Sequence, residues 1–185
     1  SYIPNYGTSA GITRSAETAN GAGDASTFND SEGVLFAEIS ALADDLNIEG
    51  ISVSDSSSSN RVVIFKWNVS NTIKVRVGSS GTNYVNENLT LSDITDVIKI
   101  AVKYKQNDFS IFINGFELFS ENTGLTPIGL DSLQFNSDGL GGAPFYGNTK
   151  QIQYFDSALN DSDLEKITSW TSFTDLANGQ TYSIK

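Results

Sequence analysis

The stretch 97–119 constrains the fold more than any other part of the chain. In V-I-K-I-A-V-K-Y-K, apolar residues alternate with lysines and an alanine, which is the period of a half-buried β-strand. Q-N-D then predicts a turn, and F-S-I-F-I predicts a second strand. Asn114 and Gly115 predict a tight type I′ turn, because both of its central residues need positive φ. The stretch therefore predicts three consecutive antiparallel strands that hold no reactive group.

Short runs of the same kind fill most of the remaining chain. Turns rich in Gly, Ser and Asn separate them, and they predict further strands at 33–40, 46–54, 61–69, 71–77, 84–91, 131–136 and 149–155. No repeat of the length found in propellers or solenoids is present, so two packed antiparallel sheets are the economical arrangement. We predict an all-β, two-sheet antiparallel jelly-roll sandwich that forms a single domain over residues 1–185.

One helix is predicted, from Asn160 to Trp170. Asn160 is a favourable N-cap, acidic residues follow it, and Leu159 is placed to pack against Leu164. Leu164, Ile167 and Trp170 form an apolar stripe on this helix. We expect this short C-terminal helix to cover one edge of the sandwich.

The composition excludes several classes of function. The 185 residues contain no Cys and no His, which removes disulfides, thiolate or imidazole metal sites and Ser-His-Asp catalysis. A formal net charge of −11 disfavours nucleic acids and anionic membranes, and no apolar run is long enough for membrane insertion. There is no signal peptide and no Met even at position 1, so we expect a processed or excised piece of a longer protein.

Three segments occur in an order that resembles laminin-G-like, concanavalin A-like jelly-roll domains. The first, I-K-I-A-V-K-Y-K-Q-N-D-F-S-I-F-I-N-G-F-E-L, is similar to the strand, turn, strand and Asn-Gly unit of that family. The second, F-Y-G-N-T-K-Q-I-Q-Y-F-D, is similar to its Phe-x-Gly motif and the core strand that follows. The third, S-A-L-N-D-S-D-L-E-K-I, is similar to its closing capped helix. The resemblance covers about residues 33–170 and implies the same fold.

The opening S-Y-I-P-N-Y-G-T-S-A-G-I-T-R-S-A-E-T-A resembles the start of such domains in bacteriophage tail and other virion proteins. This resemblance implies a non-catalytic carbohydrate-binding or adhesion domain that recognises host-surface or environmental glycans. It also implies an exposed, extracellular place on a virion, within a homotrimer or other oligomer; a bacterial cell surface or secretion is the alternative. A structural decoration or assembly module with no glycan ligand is the second functional hypothesis.

Candidate sugar-binding residues are flat aromatic side chains and planar polar ones, which stack on sugar rings and hydrogen-bond to hydroxyls. Trp67 continues an alternation with Val63 and Phe65 and is expected in the core more than on a binding surface. In the Phe-x-Gly pattern Phe145 is the core residue, which leaves Tyr146 to face a ligand. Arg76 suits a sulfate or carboxylate on the glycan. The predicted binding patch comprises Trp67, Arg76, Tyr84, Asn136, Asp138 and Tyr146.

The chain is rich in oxygen donors, which suit a structural Ca²⁺. Laminin-G-like domains often hold one such ion at a loop edge, and we expect Asp24, Asn29 and Asp30, in the long N-terminal loop, to be its donors.

An enzyme of the glycan hydrolase or lyase class is the third hypothesis, and the least favoured. The Glu-x-Asp-x-x-Glu strand of related β-glucanases is missing, and no carboxylates are paired at a useful spacing. Glu38 lies within an apolar strand and would suit a general acid if buried. An ordinary ion pair with Arg61 or Lys66 is the simpler expectation for it.

Overall fold

The computed structural model describes residues 22–137 and 142–169. These residues form ten β-strands and one α-helix. The strands are β1 Glu32–Ala41, β2 Glu49–Ser54, β3 Arg61–Lys66, β4 Thr72–Ser79, β5 Thr82–Thr90, β6 Ile98–Lys105, β7 Phe109–Ile113, β8 Phe116–Glu121, β9 Ser132–Gln134 and β10 Gly147–Phe155, and the helix is α1 Asp161–Ser169. No helix in this part of the chain is long and apolar enough to cross a membrane.

The strands form two five-stranded sheets in which neighbouring strands are antiparallel. Sheet I has the order β10-β1-β6-β7-β8, and sheet II has the order β5-β4-β3-β2-β9. The predicted all-β, two-sheet antiparallel sandwich with one short helix is therefore confirmed. Strand β1 is buried along nearly its whole length, as the apolar run at 33–40 predicts.

The core between the sheets consists of alternate residues from both inner faces. Leu35, Ile100 and Val102 of sheet I belong to the same buried cluster as Ile64 and Val75 of sheet II. Each of these side chains is at most 1% exposed, so the cluster supplies most of the apolar area that stabilises the sandwich.

The central stretch folds as the three strands β6, β7 and β8, with the turns that its sequence predicts. Asn107 has a φ of 59° in the first turn, and Asn114 and Gly115 have φ values of 51° and 87° in the second. Asn and Gly adopt this left-handed region at the least steric cost, which is why these residues fix the two hairpins. The Asn114 carboxamide also accepts a hydrogen bond from the Lys99 backbone N–H at 2.9 Å.

The helix packs on the outer face of sheet I, not on an edge as expected. Leu164 is fully buried there against Val34, Phe36, Ala101 and Phe112. The Asn160 carboxamide caps the helix by accepting the Asp163 N–H at 3.0 Å. The helix consequently covers part of the face that carries the lysines of β6, and Lys103 is only 5% exposed. Trp170 lies outside the described residues.

A different kind of layer covers part of the outer face of sheet II. Residues 142–146 lie beside strand β2, where the Gly50 N–H donates to the Ala143 carbonyl at 2.8 Å and Gly50 pairs with Pro144. The Arg61 guanidinium donates to the Ser137 carbonyl at 2.7 Å. On the far side of the sheet, Asn86 and Asn88 of β5 are exposed. Residues 137 and 142–144 therefore cover the β2 side of the face, and the β5 side is open to solvent at Asn86 and Asn88.

Candidate functional site

The register of β3 and β4 gathers cations and aromatic rings on the outer face of sheet II. Phe65 lies opposite Lys74, and Val63 lies opposite Arg76. Trp67 follows β3 directly, and its backbone N–H donates to the Thr72 carbonyl at 2.9 Å, so the pairing extends past the strand end.

Five side chains on this face contact one another in one cluster, which we call the cation–aromatic ladder: Arg61, Phe65, Arg76, Trp67 and Lys74. The guanidinium carbon of Arg76 lies 5.1 Å from the Trp67 ring centroid and 5.5 Å from that of Phe65. The Lys74 ammonium lies 4.5 Å from the Trp67 centroid, and the Arg61 guanidinium carbon lies 5.7 Å from the Phe65 centroid. The two rings meet edge to face at 5.6 Å. These distances are those of cation–π contacts.

The ladder concentrates positive charge on a chain whose net charge is −11. Lys74 is only 7% exposed, and burial, together with the nearby Arg76, lowers the pKa of Lys74. Within the part of the chain that the structure describes, no salt bridge joins Lys74 or Arg76 to a carboxylate. The Arg76 Nε donates to the Asn86 carboxamide oxygen at 3.0 Å, which holds the guanidinium in place. An anionic ligand is the group that would complement this face.

The structure brings together two of the predicted binding residues, Trp67 and Arg76. The expectation that Trp67 lies in the core is wrong, because Val62 and Ile64 are the β3 residues that point between the sheets. Successive residues of a strand point to opposite faces, so Phe65 and Trp67 lie on the outer face with Arg76. Arg61, Phe65 and Lys74 were not predicted as site residues. The hairpin that joins β3 to β4 could have indicated them, because its pairing places residues of the two strands side by side.

The residues predicted from the segment after β9 have separate environments. Asn136 is 7% exposed; its carbonyl accepts the Ser52 hydroxyl at 2.8 Å, and its amide donates to Gln134 at 2.8 Å. Tyr146 is 53% exposed, and its backbone N–H donates to the Glu49 carboxylate at 3.1 Å. Phe145 packs against the core, as expected from the Phe-x-Gly pattern. Asp138 lies outside the described residues.

Tyr84 lies apart from the ladder. It belongs to the edge strand β5, and a Cβ built on Gly124 would lie 2.9 Å from the Tyr84 Cβ and 3.0 Å from the Phe109 ring. Phe109 is a core residue of sheet I, so Tyr84 packs beside the loop that follows β8. A ligand on the ladder and a ligand on Tyr84 would therefore occupy different places.

The oxygens of the three predicted Ca²⁺ donors accept hydrogen bonds from the chain itself. The Asp24 carboxylate accepts from the Ser26 and Thr27 hydroxyls and backbone N–H groups, which lowers the pKa of Asp24. Asn29 caps the Ser31 N–H at 2.9 Å. Asp30 accepts the N–H groups of residues 129 and 130 at 2.6 and 2.9 Å. Among residues 22–137 and 142–169, no group of three or more acidic residues is placed to hold a metal. The Ca²⁺ site stays a prediction, and an ion bound there would compete with these hydrogen bonds.

Glu38 forms the ion pair that its strand position suggests, but with a different partner. Its carboxylate lies 3.2 Å from the Lys150 ammonium, across the β1–β10 pairing, and its side chain is 13% exposed. Lys66, one of the expected partners, instead pairs with Glu49 at 3.0 Å and with Asp45. Arg61, the other, lies in the cation–aromatic ladder.

No protein-family model matches the sequence, and no curated protein matches it significantly. Among solved structures, the CBM40 domain of the Ruminococcus gnavus IT-sialidase bound to α2,3 sialyllactose matches with a TM-score of 0.64 and 14% identity, over 82% of this chain and 98% of that one. Domain 4 of AbnA, a GH43 arabinanase of Geobacillus stearothermophilus in complex with arabinotriose, matches with a TM-score of 0.60 and 12% identity, over 79% and 70% of the two chains.

Larger sialidases match over one part of their length. The leech intramolecular trans-sialidase matches with a TM-score of 0.62 and 18% identity, over 78% of this chain, and the matched region is 24% of that enzyme. This chain thus spans about a quarter of the enzyme it matches. At such low identities these likenesses show the fold alone.

Proposed function

We propose that this domain binds glycans without catalysing a reaction, and that acidic sugars bind at the cation–aromatic ladder. The observation that carries the proposal is the position of Arg76 and Lys74. Both lie against the Trp67 ring, and neither forms a salt bridge in the described part of the chain, where Glu87 on β5 acts on Lys74 only from beyond salt-bridge distance. An arrangement kept only for stability would pair a buried ammonium with a carboxylate, as the chain does at Lys66 and Lys103.

The ladder supplies the two contacts that an acidic sugar needs. The Arg76 Nε is already bonded to Asn86, so its two terminal amino groups remain to donate in parallel to a carboxylate or sulfate. Arg76 and Lys74 already lie over the half-buried Trp67 ring, and the part of the indole that stays exposed offers an apolar contact to the carbon–hydrogen side of a sugar ring. Exposed Asn86 and Asn88 on the neighbouring strand provide groups that bind hydroxyls. Tyr146, which is 53% exposed, stays a predicted sugar contact.

The fold comparisons support this ligand class. Two matched structures hold glycans, sialyllactose in the CBM40 domain and arabinotriose in domain 4 of AbnA. Sialyllactose carries a carboxylate on its terminal sugar, whereas arabinotriose is neutral. The positive charge of the ladder favours the first kind of ligand for this chain.

The biological setting that we propose rests on the resemblance of residues 1–19. It is a bacteriophage virion, in which the domain belongs to a tail or fibre protein and binds host-surface or environmental glycans as part of a homotrimer or other oligomer. A bacterial surface protein or a secreted protein is the alternative setting. Electron microscopy of virions labelled with an antibody against this domain would test the first setting.

A second candidate function is a structural assembly module with no glycan ligand. Phe116 is 71% exposed and Leu118 is 46% exposed on β8, which is an edge strand of sheet I. Exposed apolar residues on a sheet edge favour contact with another chain. Light scattering of wild-type protein and of Phe116→Ser tests this: a module of this kind should lose oligomers in the variant.

The glycan proposal is tested by calorimetric titration with 3′-sialyllactose, with lactose as the neutral match that lacks the acidic sugar. We expect binding of the first, weak or no binding of the second, and a loss of about tenfold or more in affinity for Arg76→Gln. Lys105→Gln is the matched control, because it removes one cation from the other sheet, where Lys105 is half-exposed and pairs with Glu32.

Equal affinity of Arg76→Gln and wild type would contradict the placement at the ladder. No retardation on gels containing any acidic polysaccharide, together with a stable oligomer, would favour the assembly module. Release of sialic acid or lactose during prolonged incubation would instead reveal the hydrolase activity that we do not expect.

A further inference from the structure

A polar cavity of about 460 Å³ lies on the outer face of sheet I, on the side of the sandwich opposite the ladder. It lies where β6, β7 and β8 meet the start of α1, and its volume is in the range of small-ligand sites. Its acidic lining residues are Asp108, Glu117, Glu121 and Asp161.

The cavity carries an excess of negative charge. Lys103 lies in its wall and pairs with Asp108 at 2.7 Å and with Asp161 at 3.1 Å. Neither Glu117 nor Glu121 has a cationic partner in the described part of the chain. Hydrogen bonds from the side chain of Thr123 and nearby backbone N–H groups lower the pKa of Glu121, so this carboxylate remains ionised at neutral pH. One ammonium therefore faces four carboxylates.

A buried hydroxyl in the floor of the cavity lacks a hydrogen-bond partner. Ser110 is 2% exposed, and its Oγ is bonded to nothing in the structure. It lies between Lys103 on β6 and Ser120 on β8, its neighbours across the sheet, and all three residues line the cavity. A buried hydroxyl with no partner costs free energy, which a ligand seated in the cavity would recover.

We propose that this cavity binds a protonated amino sugar. The ammonium group of the sugar would pair with Glu117 and Glu121, and its hydroxyls would meet Ser110, Ser120 and Asn122. The carboxylates are distributed around the cavity, which suits a sugar-sized cation that carries hydroxyls along its body. The site is distinct from the ladder, so the domain would hold two glycan units of opposite charge on its two outer faces.

The test is a titration of the whole chain with glucosamine, followed by amide NMR. At about pH 6 a carboxylate with a pKa near 4 is ionised and an amine with a pKa near 8 is protonated. We expect shifts at residues 107–110 and 117–122. N-acetylglucosamine, which has the same ring but no charge, should bind at least fivefold more weakly. Calcium chloride alone should leave these amides unshifted.

Three variants give the proposal its sharpest test. Glu117→Gln, at an exposed position, should weaken glucosamine binding about two- to fivefold. Glu165→Gln makes the same change of charge on the exposed face of α1, outside the cavity, and should leave binding unchanged. Ser110→Ala should weaken binding without lowering the melting temperature, because the hydroxyl makes no bond in the free protein.

Three outcomes would overturn the proposal: equal affinity for glucosamine and N-acetylglucosamine, equal effects of the two glutamine variants, or calcium-induced shifts of the same amides. Arg76→Gln should leave glucosamine binding intact. A negative result for the cavity would therefore leave the glycan proposal for the ladder untouched, and the reverse also holds.

Discussion

Arg76 lies over the indole ring of Trp67, with its guanidinium carbon 5.1 Å from the ring centroid. The two residues come from adjacent strands of a hairpin, and Asn86 from the third strand fixes the guanidinium through its Nε. A cation held in place before a ligand arrives loses little conformational freedom on binding, which favours affinity. The pairing of β3, β4 and β5 therefore places Arg76 where the proposed function needs it.

The first prediction separates a binding ring from a structural ring within the ladder. Phe65 is 3% exposed, so Phe65→Ala should lower the free energy of unfolding by about 3–5 kcal/mol. Trp67 is only half-buried, and Trp67→Ala should cost clearly less stability while abolishing binding of acidic glycans. Urea denaturation and calorimetric titration of both variants make the comparison. If Trp67→Ala were as unstable as Phe65→Ala, Trp67 would be a structural residue.

The second prediction is that Lys74→Met makes the free protein more stable and the glycan complex weaker. Lys74 is buried beside Arg76 and forms no salt bridge in the described part of the chain, so methionine of similar length should raise the free energy of unfolding by on the order of 1 kcal/mol. The same change removes positive charge from the ladder and should reduce affinity for 3′-sialyllactose.

The pH dependence of this difference has a defined sign. Burial and Arg76 lower the pKa of Lys74 below its ordinary value of 10.5, so the charged form is disfavoured in the folded state. The free-energy cost of burying the charged ammonium is fully present below the pKa that Lys74 has in the folded state. This cost disappears as the pH rises through that pKa toward 10.5, the ordinary pKa of lysine. The stability gap between Lys74→Met and wild type should therefore shrink in alkaline buffer. Lys105→Met is the control, and a gap that grows with pH would contradict the assignment.

The strands and turns were largely predictable because their determinants are local. The alternation in 97–119 and the left-handed propensity of Asn107, Asn114 and Gly115 specify β6 to β8 without reference to the rest of the chain. The helix was predictable for the same reason, since Asn160 supplies its cap. Its position was not, because the sequence does not show which apolar surface Leu164 will meet.

The orientation of β3 explains why the sequence predicted Trp67 in the core, which is wrong. R-V-V-I-F-K-W has apolar residues at both parities, so its alternation alone does not say which face points inward. Once Val62 and Ile64 enter the core, Phe65 and Trp67 must face outward. The hairpin register then places Lys74 opposite Phe65, and the ladder follows. Contacts between the two sheets decide which face of β3 points into the core, and the sequence does not reveal these contacts.

The third prediction concerns a buried hydrogen-bond network that ties residue 29 to sheet I. The Tyr104 hydroxyl donates to the Asn29 carbonyl at 2.6 Å and lies 2.7 Å from the Tyr154 hydroxyl, which accepts the Asn29 N–H at 2.8 Å. Tyr104→Phe removes the donor and leaves the Asn29 carbonyl unsatisfied, so the free energy of unfolding should fall by about 1–3 kcal/mol. Tyr146→Phe, at a position that is 53% exposed, should change it by less than about 0.5 kcal/mol. Equal effects in thermal denaturation would show that the network adds nothing.

The fourth prediction uses the ion pairs of Lys66 to locate part of the acid sensitivity of the fold. Lys66 is 3% exposed and pairs with Glu49 and Asp45. Burial alone would lower the pKa of Lys66, but the hydrogen bonds to these two carboxylates raise it. The hydrogen bond from Lys66 lowers the pKa of Asp45 from 3.8 to about 2.

A carboxylate whose pKa is depressed on folding contributes stability above its unfolded pKa and loses it as the pH falls through the folded one. The Asp45 contribution should therefore be complete above 3.8 and should be lost by about 2. Asp45→Asn removes this titration, so its free energy of unfolding should depend less steeply on pH across that window than the wild-type value. Asp96→Asn, at an exposed carboxylate with no hydrogen bond or ion pair in the described part of the chain, is the matched control. Parallel acid-denaturation curves for Asp45→Asn and wild type would show that the Lys66–Asp45 contact does not stabilise the fold in solution.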